Sequence, residues 1–104
     1  MALSDSQKSS IESKKRDIER KKTQIENVKQ QKERMQSNTK ISINKNKESL
    51  KNAKDPNSKN MFRKNIESET KFLKNQIVDY NRTIDNIKKN ITMLKDEISR
   101  IKSR

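Results

Sequence analysis

In the C-terminal half of the chain, apolar or tolerant side chains recur at Ile66, Thr70, Leu73, Ile77, Tyr80, Ile84, Ile87, Ile91, Leu94, Ile98 and Ile101. The gaps alternate four and three without a break, which is the pattern of a helix with one apolar seam. The N-terminal half repeats the theme more weakly. Ile11, Ile18 and Ile25 are seven apart, Val28 and Met35 continue one position class over, and Lys14, Lys21 and Lys32 occupy intervening core slots. Beyond Met35 the register blurs through Ile41 and Ile43 and resumes at Leu50. Two isoleucines one residue apart also fit a short strand. The lysine-rich flanks and the lack of turn residues favour a register shift within one helix instead.

Between the halves lies Lys54-Asp55-Pro56-Asn57-Ser58, which holds the only proline and the only cluster of helix breakers. Proline disfavours helix at the residue before it, and Asp, Asn and Ser are good caps for a new helix. Ser4 and Gln7 have the spacing of a capping box at the first helix start. The pattern predicts one domain over residues 1–104, with a helix over 4–53, a turn at 54–57 and a helix over 58–102. The expected fold class is all-α, two long helices forming an antiparallel coiled-coil hairpin. If the chain folds back at Pro56, residue i faces the residue numbered 112 minus i. Ile11 then meets Ile101, Ile18 meets Leu94, Ile25 meets Ile87, Val28 meets Ile84, Met35 meets Ile77 and Leu50 meets Phe62, six apolar pairs from one turn position. A continuous helix in a parallel oligomer is the competing arrangement.

Composition narrows the chemistry. Of 104 residues, 26% are apolar and 39% are charged, too few apolar groups for a wide globular core. Histidine and cysteine are absent, so the common Ser–His and Cys–His pairs and thiolate metal sites are impossible. Without glycine there is no phosphate-cradling loop and no dinucleotide fingerprint. Asp96-Glu97 is the only adjacent acidic pair, and neighbours in a helix point different ways. No catalytic residue, cofactor or metal ligand is therefore expected, and the chain reads as a non-enzyme. Its N-terminus lacks the apolar run of a signal peptide and no stretch has the length of a membrane span. That combination predicts a cytoplasmic protein, or one exported without a cleaved signal.

Charge adds a partner class. The formal net charge is +13. Acids thin out between Arg34 and Arg63, where Glu48 and Asp55 stand against Arg34, Lys40, Lys45, Lys47, Lys51, Lys54, Lys59 and Arg63. This basic patch suits phosphates or an acidic protein. Lysine outnumbers arginine and only three aromatics are present, so nucleic-acid binding ranks below protein binding. Five acid–base pairs at i,i+4, from Glu12–Arg16 to Asp96–Arg100, fit a solvated face.

The second helix also carries an apolar surplus. The fold-back register sets Ile98 and Ile91 opposite Lys14 and Lys21, and Phe72, Val78 and Met93 lie off the seam. These five residues are the expected contacts to another helical chain, whether a different protein or a second copy. In outline the chain resembles the WXG100-like proteins and the small helical partners of LXG toxins in Gram-positive type VII secretion. The resemblance rests on the length, on the arms Ile11–Met35 and Ile66–Ile101, and on one central break at Asp55-Pro56. The central Trp-x-Gly turn of that family has no counterpart here, and no site residue transfers. What the resemblance implies is an adaptor or targeting chaperone for a helical region of a secreted protein. The alternatives are a basic coiled-coil nucleic-acid binder and a self-assembling structural coiled coil, such as a phage component.

Overall fold

A computed structural model describes residues 2–104. It contains two helices, α1 (Asp5–Asn52) and α2 (Pro56–Lys102), and no strand among the described residues. They form an antiparallel helical hairpin. Both helix starts are capped by the side chains that the sequence singles out. The Gln7 amide donates to Ser4 Oγ at 3.1 Å and the Ser4 amide to Gln7 Oε1 at 2.9 Å, a reciprocal capping box. At α2, Pro56 takes the first helical position, where its missing N–H costs nothing. Asp55 caps that end, accepting from the amides of Asn57 at 2.8 Å and Ser58 at 3.3 Å and from the Ser58 hydroxyl. Donation by the Ser58 hydroxyl, then by the two amides, holds the Asp55 carboxyl below its ordinary value. The proline thus opens α2 rather than sitting in the turn, which shortens the connection to residues 53–55.

The chain divides into two compact units, one built from the chain ends up to Lys29 and from Arg82, the other from Gln30–Asn81. In the first, Ile11, Ile18, Ile25, Ile84, Ile91 and Ile98 make a single buried cluster. Leu3, Val28, Ile87, Leu94 and Ile101 pack against it and stay partly exposed. Writing the heptad abcdefg with Ile11 and Ile84 at a, the buried six are all a residues, and the partly exposed five are all d residues except Leu3. Lys14 donates to Glu97 Oε2 at 2.8 Å, and those two numbers sum to 111, close to the expected 112.

In the turn-bearing unit only Ile43 is buried. Its cross-helix bonds run from Lys32 Nζ to Asn81 Oδ1 at 2.8 Å and from Asn46 Nδ2 to Glu69 Oε1 at 2.6 Å. Their sums, 113 and 115, place the pairing here further along α2 than the single fold-back register expects. The expected register shift in α1 is present. Covered positions step by four, then four again, through Met35, Thr39 and Ile43, and α2 does the same through Phe62, Ile66 and Thr70. An extra four residues in a heptad series locally unwinds the supercoil. The change of phase buries Ile43 and leaves Ile41 54% exposed, both on continuous helix.

Candidate binding surfaces

Helical geometry fixes what lies beside the seam. At 3.6 residues per turn, position e borders a and position g borders d, so a two-helix seam has an e flank and a g flank. In antiparallel pairs e meets e and g meets g. The chain-end unit keeps this arrangement: Asp17 and Gln24 of α1 line one open groove with Asn90 and Glu97 of α2, all four at g. That groove, about 420 Å³, is also walled by Met93, by the d residues Leu94 and Lys21, and by Arg20. A second groove on the same flank, about 280 Å³, holds Ile101 with Ser10, Lys14, Glu97, Arg100 and Arg104. The g flank is therefore where the half-open d layer meets solvent, and its g positions carry no lysine in this unit: Leu3, Ser10, Asp17, Gln24, Thr83, Asn90 and Glu97, with Arg104 at the chain end the one cation among them.

The e flank is the reverse. Lys8, Lys15, Lys22 and Lys29 on α1 and Lys88, Lys95 and Lys102 on α2 occupy every e position of the unit, and all are exposed. Beneath them the a layer is closed, with relative exposures between 4% and 8%. One flank is sealed and lined at e by lysine, the other open, partly apolar and mixed in charge.

Two of the five expected partner contacts are corrected by this geometry. Ile91 and Ile98 are each only 8% exposed and belong to the buried cluster. The α1 lysines opposite them did not leave them free, because the a isoleucines of both helices interleave in one ladder. Lys14 also lies half-buried along the seam with its ammonium on Glu97. Donation from Lys14, then its charge, lowers the Glu97 carboxyl from its ordinary value. The available apolar surface sits one heptad class over, at Ile87, Leu94 and Ile101, which the sequence pattern did not single out. The other three expected contacts are exposed: Phe72 at 51%, Val78 at 53% and Met93 at 60%. Met93 walls the 420 Å³ groove of the chain-end unit. Phe72 walls an open groove of about 300 Å³ in the other unit, with Asn38, Thr39, Ser42 and Glu69. Ile41 and Met61, not anticipated, are exposed as well.

The basic patch is not one face. Lys40, Lys47 and Lys51 follow one stripe of α1, while Arg34 and Lys45 lie on another, at helical spacings that separate them. Lys54 is in the turn, Lys59 is half-buried and Arg63 is on α2. None of the eight makes an ion pair among the described residues. The five i,i+4 pairs are likewise not formed. Local pairs are i,i+3 instead, Arg20–Asp17, Lys22–Glu19 and Lys29–Glu26, and Lys21 is half-buried at the seam rather than reaching Asp17.

No group of three metal-ligating side chains converges among the described residues, and no helix among them is long and apolar enough to cross a membrane. This chain matches no family model, no curated protein and no solved structure.

Proposed function

We propose that this chain is a non-catalytic protein-interaction module that receives an amphipathic helix of another protein along the g flank of its chain-end unit. The observation that carries the reading is the unequal depth of the two seam layers. Ile84, Ile91 and Ile98 are sealed, whereas Ile87, Leu94 and Ile101, seven residues apart, stay half-open beside exposed Met93. Apolar groups at that spacing match the apolar stripe of a third helix, which would turn a two-helix layer into a three-helix bundle. The rim beside the stripe is mixed, with the amides of Gln24 and Asn90 among Asp17, Arg20, Lys21 and Glu97, so it offers both neutral and charged partners to the polar edge of an amphipathic helix. The lack of histidine, cysteine and glycine points the same way, toward binding rather than chemistry. An adaptor or targeting chaperone fits such a surface. The outline shared with the partners of LXG toxins makes the N-terminal helices of a type VII-secreted toxin the first partner to test.

The test is a pair of variants measured against the purified partner. Met93→Glu with Leu94→Glu places two charges on the g flank and should abolish the complex while the hairpin keeps its helicity. Thr92→Glu with Ser99→Glu adds the same charge outside that flank and should leave affinity nearly unchanged. Equal losses in the two variants, or none in the first, would refute the assignment of the flank.

A further inference from the structure

The lysines of the chain-end unit are segregated. Ten lie in that unit, and seven of them, Lys8, Lys15, Lys22, Lys29, Lys88, Lys95 and Lys102, share heptad position e. The antiparallel pairing that brings g residues of both helices to one groove brings the e residues of both helices together on the opposite flank. Lys8 then neighbours Lys102, Lys15 neighbours Lys95 and Lys22 neighbours Lys88, each pair within about 3 Å of level along the helix axis. Successive lysines in each row stand about 10.5 Å apart along the helix. Acids border the rows at b, Glu12, Glu19 and Glu26 on α1 and Asp85 on α2, and two of them are in ion-pair contact, Glu19 with Lys22 at 3.3 Å and Glu26 with Lys29 at 3.8 Å. Exposed pairs of that kind hold a charge only weakly.

Cation rows facing each other across their own seam oppose the hairpin that carries them, and a polyanion lying between the rows relieves that repulsion. The flank's other properties select among polyanions. Its a layer is closed and its e positions carry no apolar side chain, so it lacks the anchors that an amphipathic helix or a membrane surface needs. It has no aromatic group on which unpaired bases would stack. Its cations are lysines, point charges suited to phosphate oxygens rather than forks that read base edges. We propose that this lysine flank binds the phosphate backbone of double-stranded nucleic acid without regard to sequence. The site is separate from the g flank and does not depend on a protein partner occupying it.

The experiment uses the full chain and a random-sequence DNA duplex, with affinity measured by fluorescence anisotropy over a range of salt. Changing Lys15, Lys22, Lys88 and Lys95 together to glutamine should weaken binding roughly tenfold or more. The same change should flatten the log–log salt dependence by about 0.9 for each phosphate no longer neutralised. A control that removes four charges elsewhere, Lys45, Lys51, Lys64 and Lys71 to glutamine, should cost only a small part of that. Glutamine is a good helix former, and circular dichroism of both variants checks that helicity is retained. Equal losses in the two variants would reduce the effect to net charge and overturn the proposal. So would an absence of duplex binding at low salt, tighter binding of polyglutamate or of single strands than of duplex, or retention on phosphatidylserine vesicles in place of the duplex.

Discussion

Ile91→Ala should remove about 3 kcal/mol of stability. The side chain is 8% exposed in the middle of the isoleucine ladder, between Ile84 and Ile98 on its own helix and against Ile18 and Ile25 on the other. Removing most of it loses the transfer free energy of three carbons and leaves a gap that two rigid helices close poorly. The effect is large because the reserve is small. A chain of this size holds on the order of 5–10 kcal/mol against unfolding, and a two-helix layer buries each helix on one side only. Denaturant titration followed by circular dichroism should show the midpoint fall steeply. Ile41→Ala deletes the same atoms at a site 54% exposed and should change stability by less than about 0.5 kcal/mol. Similar shifts for the two would mean that the a layer is not the core.

The second large effect comes from the polar layer where the heptad slips. Asn46 donates to Glu69 Oε1 at 2.6 Å, while Glu69 Oε2 is shielded from solvent without a partner. Asn46→Ala strips the carboxylate of its one donor from α1 and should cost about 1–3 kcal/mol. Replacing both residues with leucine removes the desolvated charge and its partner together, and should leave the protein as stable as before or more so by about 1–2 kcal/mol. The opposite signs of the two results are the content of the prediction. A double variant weaker than Asn46→Ala would show that the pair stabilises the layer outright. Why a partly buried glutamate sits there has a physical candidate in register. A polar pair that can be satisfied at only one alignment of the arms penalises the others, and the heptad signal is weakest where the covered residues Ile43 and Phe62 depart from it.

The helices and their caps are written openly in the chain, because seam spacing and capping side chains act locally. Ser4, Gln7, Asp55 and Pro56 do what their types favour wherever they occur. The shift near Ile41 and Ile43 is visible for the same reason, since a change of phase is a change of spacing. The depth of each seam position is not visible. Ile91 and Leu94 look equivalent among the heptad residues, and setting Ile91 opposite Lys21 makes it look uncovered. Its burial depends on diagonal neighbours one layer away, which pairing across a fold-back point does not represent. The slip of pairing near the turn, marked by Asn46–Glu69, escapes for a related reason. A single turn position cannot describe a chain whose supercoil changes pitch. The segregation of lysine to e is present in the sequence, but total charge and the Arg34–Arg63 window describe density along the chain rather than sides of a helix.

The central claim is that one flank of the chain-end unit is sealed and the other half-open. The chain has no cysteine, so single cysteines can be placed at 91 or 98 and at 94 or 101, in variants that retain full helicity, and their rates of thiol alkylation compared. Modification should be several-fold faster at 94 and 101, and those two alone should be protected when the helical partner is added. Equal rates at all four positions, or faster reaction at 91 and 98, would contradict it.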